Sequence, residues 1–162
     1  MKTMDAMDRR GVAEISAGTL GRTLAAGAAG LVVWELFARL IAPIWLGGPL
    51  DPTRLIEAAL GVSGMPAQGL HLLTGLVFFP IVYVFMVRPL EDRLLPAMRW
   101  IVSGLGYGVA LWVFAMYGMA SLLGGMSPFP GFEPIAWLSL VGHIGLAMGI
   151  AATTAMLEGG SH

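Results

Sequence analysis

Residues 24–46 read LAAGAAGLVVWELFARLIAPIWL, an almost unbroken apolar run whose length decides the fold. About 20 helical residues are enough to cross the hydrocarbon core of a bilayer. Glu35 lies near the middle of the run and Arg39 follows four residues later. On a helix that spacing stacks the two side chains on one face, where each partly neutralises the other. A lone charge at the bilayer centre costs roughly 2.5–3.5 kcal/mol on insertion scales, so such groups face protein or water. Glu35 and Arg39 therefore read as a buried polar pair that some protein environment has to receive.

Composition extends this reading to the whole chain. Of 162 residues, 57% are hydrophobic and 12% charged, and the mean hydropathy is +0.79. A water-soluble domain carries about 25% charged residues, so this chain has too little polar surface to cover itself in water. The absence of cysteine excludes disulfides, thiolate metal sites and a cysteine nucleophile. A net charge of −1 gives no reason to expect nucleic acid.

The expected architecture is all-α: a polytopic membrane protein with four transmembrane helices in a bundle plus a short interfacial helix. Residues 1–23, mixed in charge, read as an N-terminal cytoplasmic tail with room for a short surface helix, leading into an uncleaved first span. After the span at 24–46, Gly47-Gly48-Pro49 breaks the helix. Asp51 is then an N-cap, Pro52 a first helical residue and Gly61 a stop, giving an interfacial helix at about 52–60. The second span is expected at about 70–87, with Pro80 inside it depriving the Leu76 carbonyl of its donor. A short charged turn holding Glu91 and Asp92, read as solvated, leads to the third span at about 100–123. The fourth is expected at about 135–157, followed by a tail at 158–162.

Gly104-x-Gly106-x-Gly108 is no dinucleotide fingerprint, because no strand precedes it. Gly104, Gly108 and Gly118 instead line one face of the third span, and Gly142, Gly145 and Gly149 one face of the fourth. Small residues in such stripes let helix backbones approach closely in lipid. Lysine and arginine concentrate in the N-terminal tail and in the turn between spans two and three. The positive-inside rule then puts both termini in the cytoplasm of a bacterial inner-membrane protein.

With that orientation, Arg39, His71, Tyr117 and His143 all fall in the outer half of the bilayer, and Glu35 lies at its floor. Three readings follow. Two histidines on different helices suit bis-histidine ligation of a haem b, with Arg39 near a propionate. Alternatively His71, Tyr117 and Arg39 bond the carbonyl of a quinone while Glu35 moves a proton. In the third reading these groups only fix helix register through interhelical bonds. No catalytic constellation is visible: there is no H-E-x-x-H and no Ser/His/Asp grouping in a polar cleft. Met116, Met119 and Met126 read as flexible apolar filler rather than a copper site.

His71-x-x-x-Gly75, Gly104-x-x-x-Gly108-x-x-x-Trp112 and Gly142-His143-Ile144-Gly145 resemble a pattern of small four-helix bacterial inner-membrane proteins. The resemblance covers about the last hundred residues and implies a small helper protein of the membrane energy system. The expected function is therefore a non-catalytic accessory or assembly subunit, embedded in the lipid bilayer beside a larger respiratory or photosynthetic membrane-protein complex. A haem- or quinone-binding redox module is the first alternative, and a small oligomeric transporter or channel the second.

Overall fold

A computed structural model describes residues 17–94 and 99–159 of the chain. Any surface helix in the N-terminal tail before residue 17 lies outside the described residues. Those residues are helical throughout their long segments and form no strand. Four helices are long and apolar enough to cross a membrane: α1 (Ala17–Leu46), α3 (Gly64–Glu91), α4 (Trp100–Leu123) and α5 (Pro134–Gly159). A short helix, α2 (Pro52–Leu60), connects the first two.

Two of the spans start before their apolar runs do. Helix α1 is already formed at Ala17 rather than residue 24, because Gly18 and Gly21 weaken a helix without stopping it. Helix α3 starts at Gly64 rather than residue 70, since Pro66 falls in the first turn, where its missing N–H is no loss. Its helical path then runs on through residues 88–94.

Proline shapes the end of α1. Pro43 has no N–H for the turn before it, and residues 37–41 widen into π geometry, with the Ala42 N–H reaching the Phe37 carbonyl at 2.9 Å. The Ala38 carbonyl, left without its usual helical donor, accepts the Leu50 N–H at 3.1 Å. That bond folds the loop after α1 back onto the helix. Asp51 then caps α2, accepting from the Thr53 N–H at 3.0 Å and the Thr53 hydroxyl at 2.7 Å. Gly61, at φ 69°, ends it in the left-handed conformation that glycine adopts freely.

Helix α5 is central and packs on two sides. Toward α1, an added Cβ at Gly149 would stand 2.9 Å from the Gly30 Cα, and one at Gly142 would meet the Trp34 ring at 2.8 Å. Gly145 faces Val33 of the same helix. Toward α4, a Cβ at Gly108 would lie 2.6 Å from the Ile144 Cα, and Gly104 faces Met148 and Ala151. Gly118 differs: only Phe114 of its own helix stands within 4 Å, so it makes no close helix crossing. Lipid tails are as apolar as leucine, so these close approaches supply the packing energy that water exclusion supplies elsewhere.

Helix α3 docks on α1 through a second glycine contact. Pro80 is fully buried, and Gly27 presents its Cα directly to the Leu76 carbonyl that Pro80 cannot serve. A Cβ there would collide with that oxygen and lie 2.8 Å from the Pro80 ring. Wide π turns at Thr74–Phe78 and Tyr83–Val87 flank the proline on both sides.

At the end of the molecule away from α2, Glu91 is not in a solvated turn: it is only 4% exposed. Its carboxylate accepts from Arg88 at 3.1 Å and from the Tyr83 hydroxyl at 3.3 Å. Arg88 also donates to Glu158 of α5, and Tyr83 meets Ser103 of α4 at 2.8 Å. This network joins α3, α4 and α5.

Candidate functional site

The polar residues of the α1 run meet α3. Glu35 accepts from Arg39 Nε at 2.6 Å through Oε2, and its Oε1 lies 3.0 Å from His71 Nε2. Because both carboxylate oxygens act as acceptors, the His71 Nε2 is the donor of that bond. The Glu35 side chain is 28% exposed, whereas that of Arg39 is 69% exposed. The pair is therefore buried on one side only: Glu35 is covered by α3, while the guanidinium extends along the surface on its apolar stem.

Two cavities adjoin here, and His71 with the stretch 49–52 belongs to the walls of both. The smaller, of about 280 Å³, has a mixed lining that includes the polar side chains of Glu35, Arg39, Asp51, Thr53 and Gln68. The larger, of about 560 Å³, is walled mainly by apolar side chains, among them Leu55, Phe78, Met116, Met119 and Met126. Helix α2 contributes Leu55, Ile56 and Leu60 to it, which explains the one-sided apolar face of that short helix.

His143 lies in the wall of the larger cavity and is 7% exposed. Its Nδ1 is 2.7 Å from the Ser139 carbonyl and 3.2 Å from the Ser139 hydroxyl, one turn earlier on α5. Trp34 links the two imidazoles, with ring centroids 4.8 Å from His143 in an edge-on arrangement and 6.4 Å from His71. The buried indole N–H has no hydrogen-bond partner.

Of the residues expected to form a site, Arg39 and His71 come together around Glu35, and His143 joins them through Trp34. Tyr117 does not. It is 41% exposed and stacks on Phe129 at 5.6 Å, in an aromatic group with Trp112, Phe132 and Trp137. It lines neither cavity. The arrangement also gives no support to bis-histidine ligation of haem. His71 Nε2 is engaged by Glu35, and the indole of Trp34 contacts both imidazoles, so both would have to be rearranged. Among the described residues no group of three metal-ligand side chains occurs.

Trp34, Ser139 and Asp51 are the site residues that sequence reasoning passed over. One signal was present for Trp34: tryptophan favours the two membrane interfaces, and this one lies mid-run beside Glu35.

These features define a class: an all-helical protein with four helices able to span a membrane and a mixed polar and apolar cavity between them. No protein family, curated protein or solved structure matches the chain.

Proposed function

We propose that the four helices form a transmembrane bundle that takes up an amphiphilic small molecule of the quinone type from the bilayer. The carrying observation is that His71 borders both a mixed-lined cavity holding Glu35 and a mainly apolar cavity large enough for a ring and part of a tail. A ligand site typically combines an apolar wall with a few convergent polar groups. On this reading the head lies against His71 and the tail among Leu55, Met116 and Met119. The Glu35–His71 pair is suited to exchanging a proton with the head, as intramembrane carboxylates do in pumps. By the positive-inside rule the cavities open in the outer half of the membrane.

Binding of a short-chain benzoquinone to the protein in lipid nanodiscs tests this. Saturable quenching of tryptophan fluorescence is expected, weakened at least tenfold when Ala115→Trp fills the cavity wall. Quenching no greater than partition into empty nanodiscs predicts would overturn it.

The accessory-subunit reading retains one supporting observation, the exposed Arg39 guanidinium at span depth. Its other supports have partners within the chain: the glycine face of α5 meets α1, that of α4 meets α5, and His71 donates to Glu35. Affinity purification in mild detergent separates the two readings. A larger complex retained in fixed ratio favours the subunit; clean isolation of this chain alone counts against it.

A further inference from the structure

We infer that the larger cavity selects a head group that donates a hydrogen bond, a phenol or hydroquinone hydroxyl, over one that only accepts. The inference rests on the amphiphile-binding reading and names the chemistry of its ligand. The argument starts from the ring of His143. A carbonyl oxygen can only accept, so the 2.7 Å contact with the Ser139 carbonyl puts the proton on Nδ1. In the neutral ring Nε2 then carries a lone pair and can only accept. Among the described residues nothing donates to Nε2, and His143 lines the cavity.

The neighbourhood sharpens the choice. Ser139 holds the tautomer from two directions, through its carbonyl and its hydroxyl, and it also lines the cavity. The Trp34 indole presses on the imidazole at 4.8 Å and fixes its plane. Nε2 is open to the cavity rather than sealed in the wall, and its lone pair has no donor from the protein, so a ligand hydroxyl that donates to it is favoured. A quinone carbonyl at the same place sets one lone pair against another. Sites that use a substrate hydroxyl discriminate strongly against analogues lacking it, because the site's own polar group is then left unpaired.

The test uses a matched pair that differs only in the proton: 4-nonylphenol and its methyl ether, titrated into the full chain in lipid nanodiscs. The phenol is expected to bind at least tenfold more tightly, and His143→Ala is expected to shrink that ratio below about threefold. Folding of the variant is not needed for a second readout. In wild-type protein carrying nitrogen-15 histidine, the His143 Nε2 resonance should move upfield on adding phenol and stay in place on adding ether. Equal binding of the two compounds, or an unmoved Nε2, overturns the inference while leaving the cavity reading intact. If neither compound nor the short-chain benzoquinone binds, the cavity reading itself fails and takes this inference with it.

Discussion

His71 on α3 lies with its Nε2 3.0 Å from Oε1 of Glu35 on α1, thirty-six residues away in the chain. This bond gives the acidic residue of the first span a partner on another helix, in addition to Arg39 on its own. It also means that α1 and α3 are joined at the level where the two cavities meet.

A double-mutant cycle measures that joint. Single replacements Glu35→Gln and His71→Leu, and the pair together, are expected to give a coupling energy of about 0.5–1.5 kcal/mol, the range for interhelical polar bonds in membranes. Equilibrium unfolding in mixed micelles is the measurement. Glu35→Ala should cost more than His71→Leu, because it removes the partner of both Arg39 and His71 at once. A coupling indistinguishable from zero would show that the contact contributes no stability.

Glycine supplies a sharper contrast. Gly27→Ala places a methyl group against the Leu76 carbonyl and the Pro80 ring, neither of which can yield without moving α3. Overpacking of this kind costs about 1–3 kcal/mol. Gly106→Ala on α4 meets nothing within 4 Å and should instead stabilise by up to about 1 kcal/mol, since alanine favours the helix. Thermal unfolding of the two variants in the same detergent should move in opposite directions. Gly118→Ala, which would meet only the Phe114 ring of its own helix at an ordinary 3.7 Å, should follow Gly106 rather than Gly27.

The spans were legible because a bilayer demands length and apolarity, and both are local properties of the sequence. The α2 caps were legible for a similar reason, since Asp51, Pro52 and Gly61 act within one turn of where they stand. What was not legible depends on which helix faces which. The stripes on α4 and α5 are visible by their spacing, but the α1 glycines that meet other helices, Gly30 against Gly149 of α5 and Gly27 against Leu76 and Pro80 of α3, lie in a run of alanines and glycines where no single residue stands out. Gly118 has the right spacing and no neighbour to meet. Glu91 follows Arg88 and Pro89 in a polar stretch that reads as a turn, yet Tyr83 two turns earlier on the same wide helix reaches it. His71 was singled out as a candidate ligand, but its contact with Glu35 follows from the crossing of α1 and α3, which periodicity does not encode.

The cap of α2 is expected to depend on pH. Partial burial raises the Asp51 pKa, but the bonds from the Thr53 hydroxyl and N–H, with the charge of Arg54, outweigh it and hold the group below its ordinary 3.8. Its contribution is therefore complete above that ordinary value and disappears as pH falls through the lower folded-state value. Hydrogen exchange at the amides of α2, taken relative to the intrinsic rate at each pH, should speed up on acidification below about pH 4. Asp51→Ala should show the faster exchange already at neutral pH, with a loss of about 0.5–2 kcal/mol. Asp51→Asn keeps a capping oxygen that does not titrate, so its exchange should not change across that window. An acid response that persists in Asp51→Asn would assign the effect to another group.

The network around Glu91 should be the most sensitive polar cluster in the molecule, because its carboxylate is almost wholly withdrawn from solvent. Tyr83→Phe removes one donor to Glu91 and the contact with Ser103 but leaves Arg88 in place. That loss is worth about 1 kcal/mol, the usual net value of a hydrogen bond, and Ser103 keeps its bond to the Trp100 carbonyl. Arg88→Met is different in kind: it takes away the countercharge of a buried carboxylate and the tie to Glu158 together. Breaking a buried pair from one side costs about 3–5 kcal/mol. Adding Glu91→Gln to Arg88→Met removes the stranded charge and should restore a large part of that loss, although the tie to Glu158 stays broken. Unfolding measurements on the three variants check the order, Tyr83→Phe mildest and Arg88→Met most severe. If the Arg88→Met and Arg88→Met/Glu91→Gln proteins unfold alike, the cost of Arg88→Met comes from the lost hydrogen bonds rather than from a stranded charge.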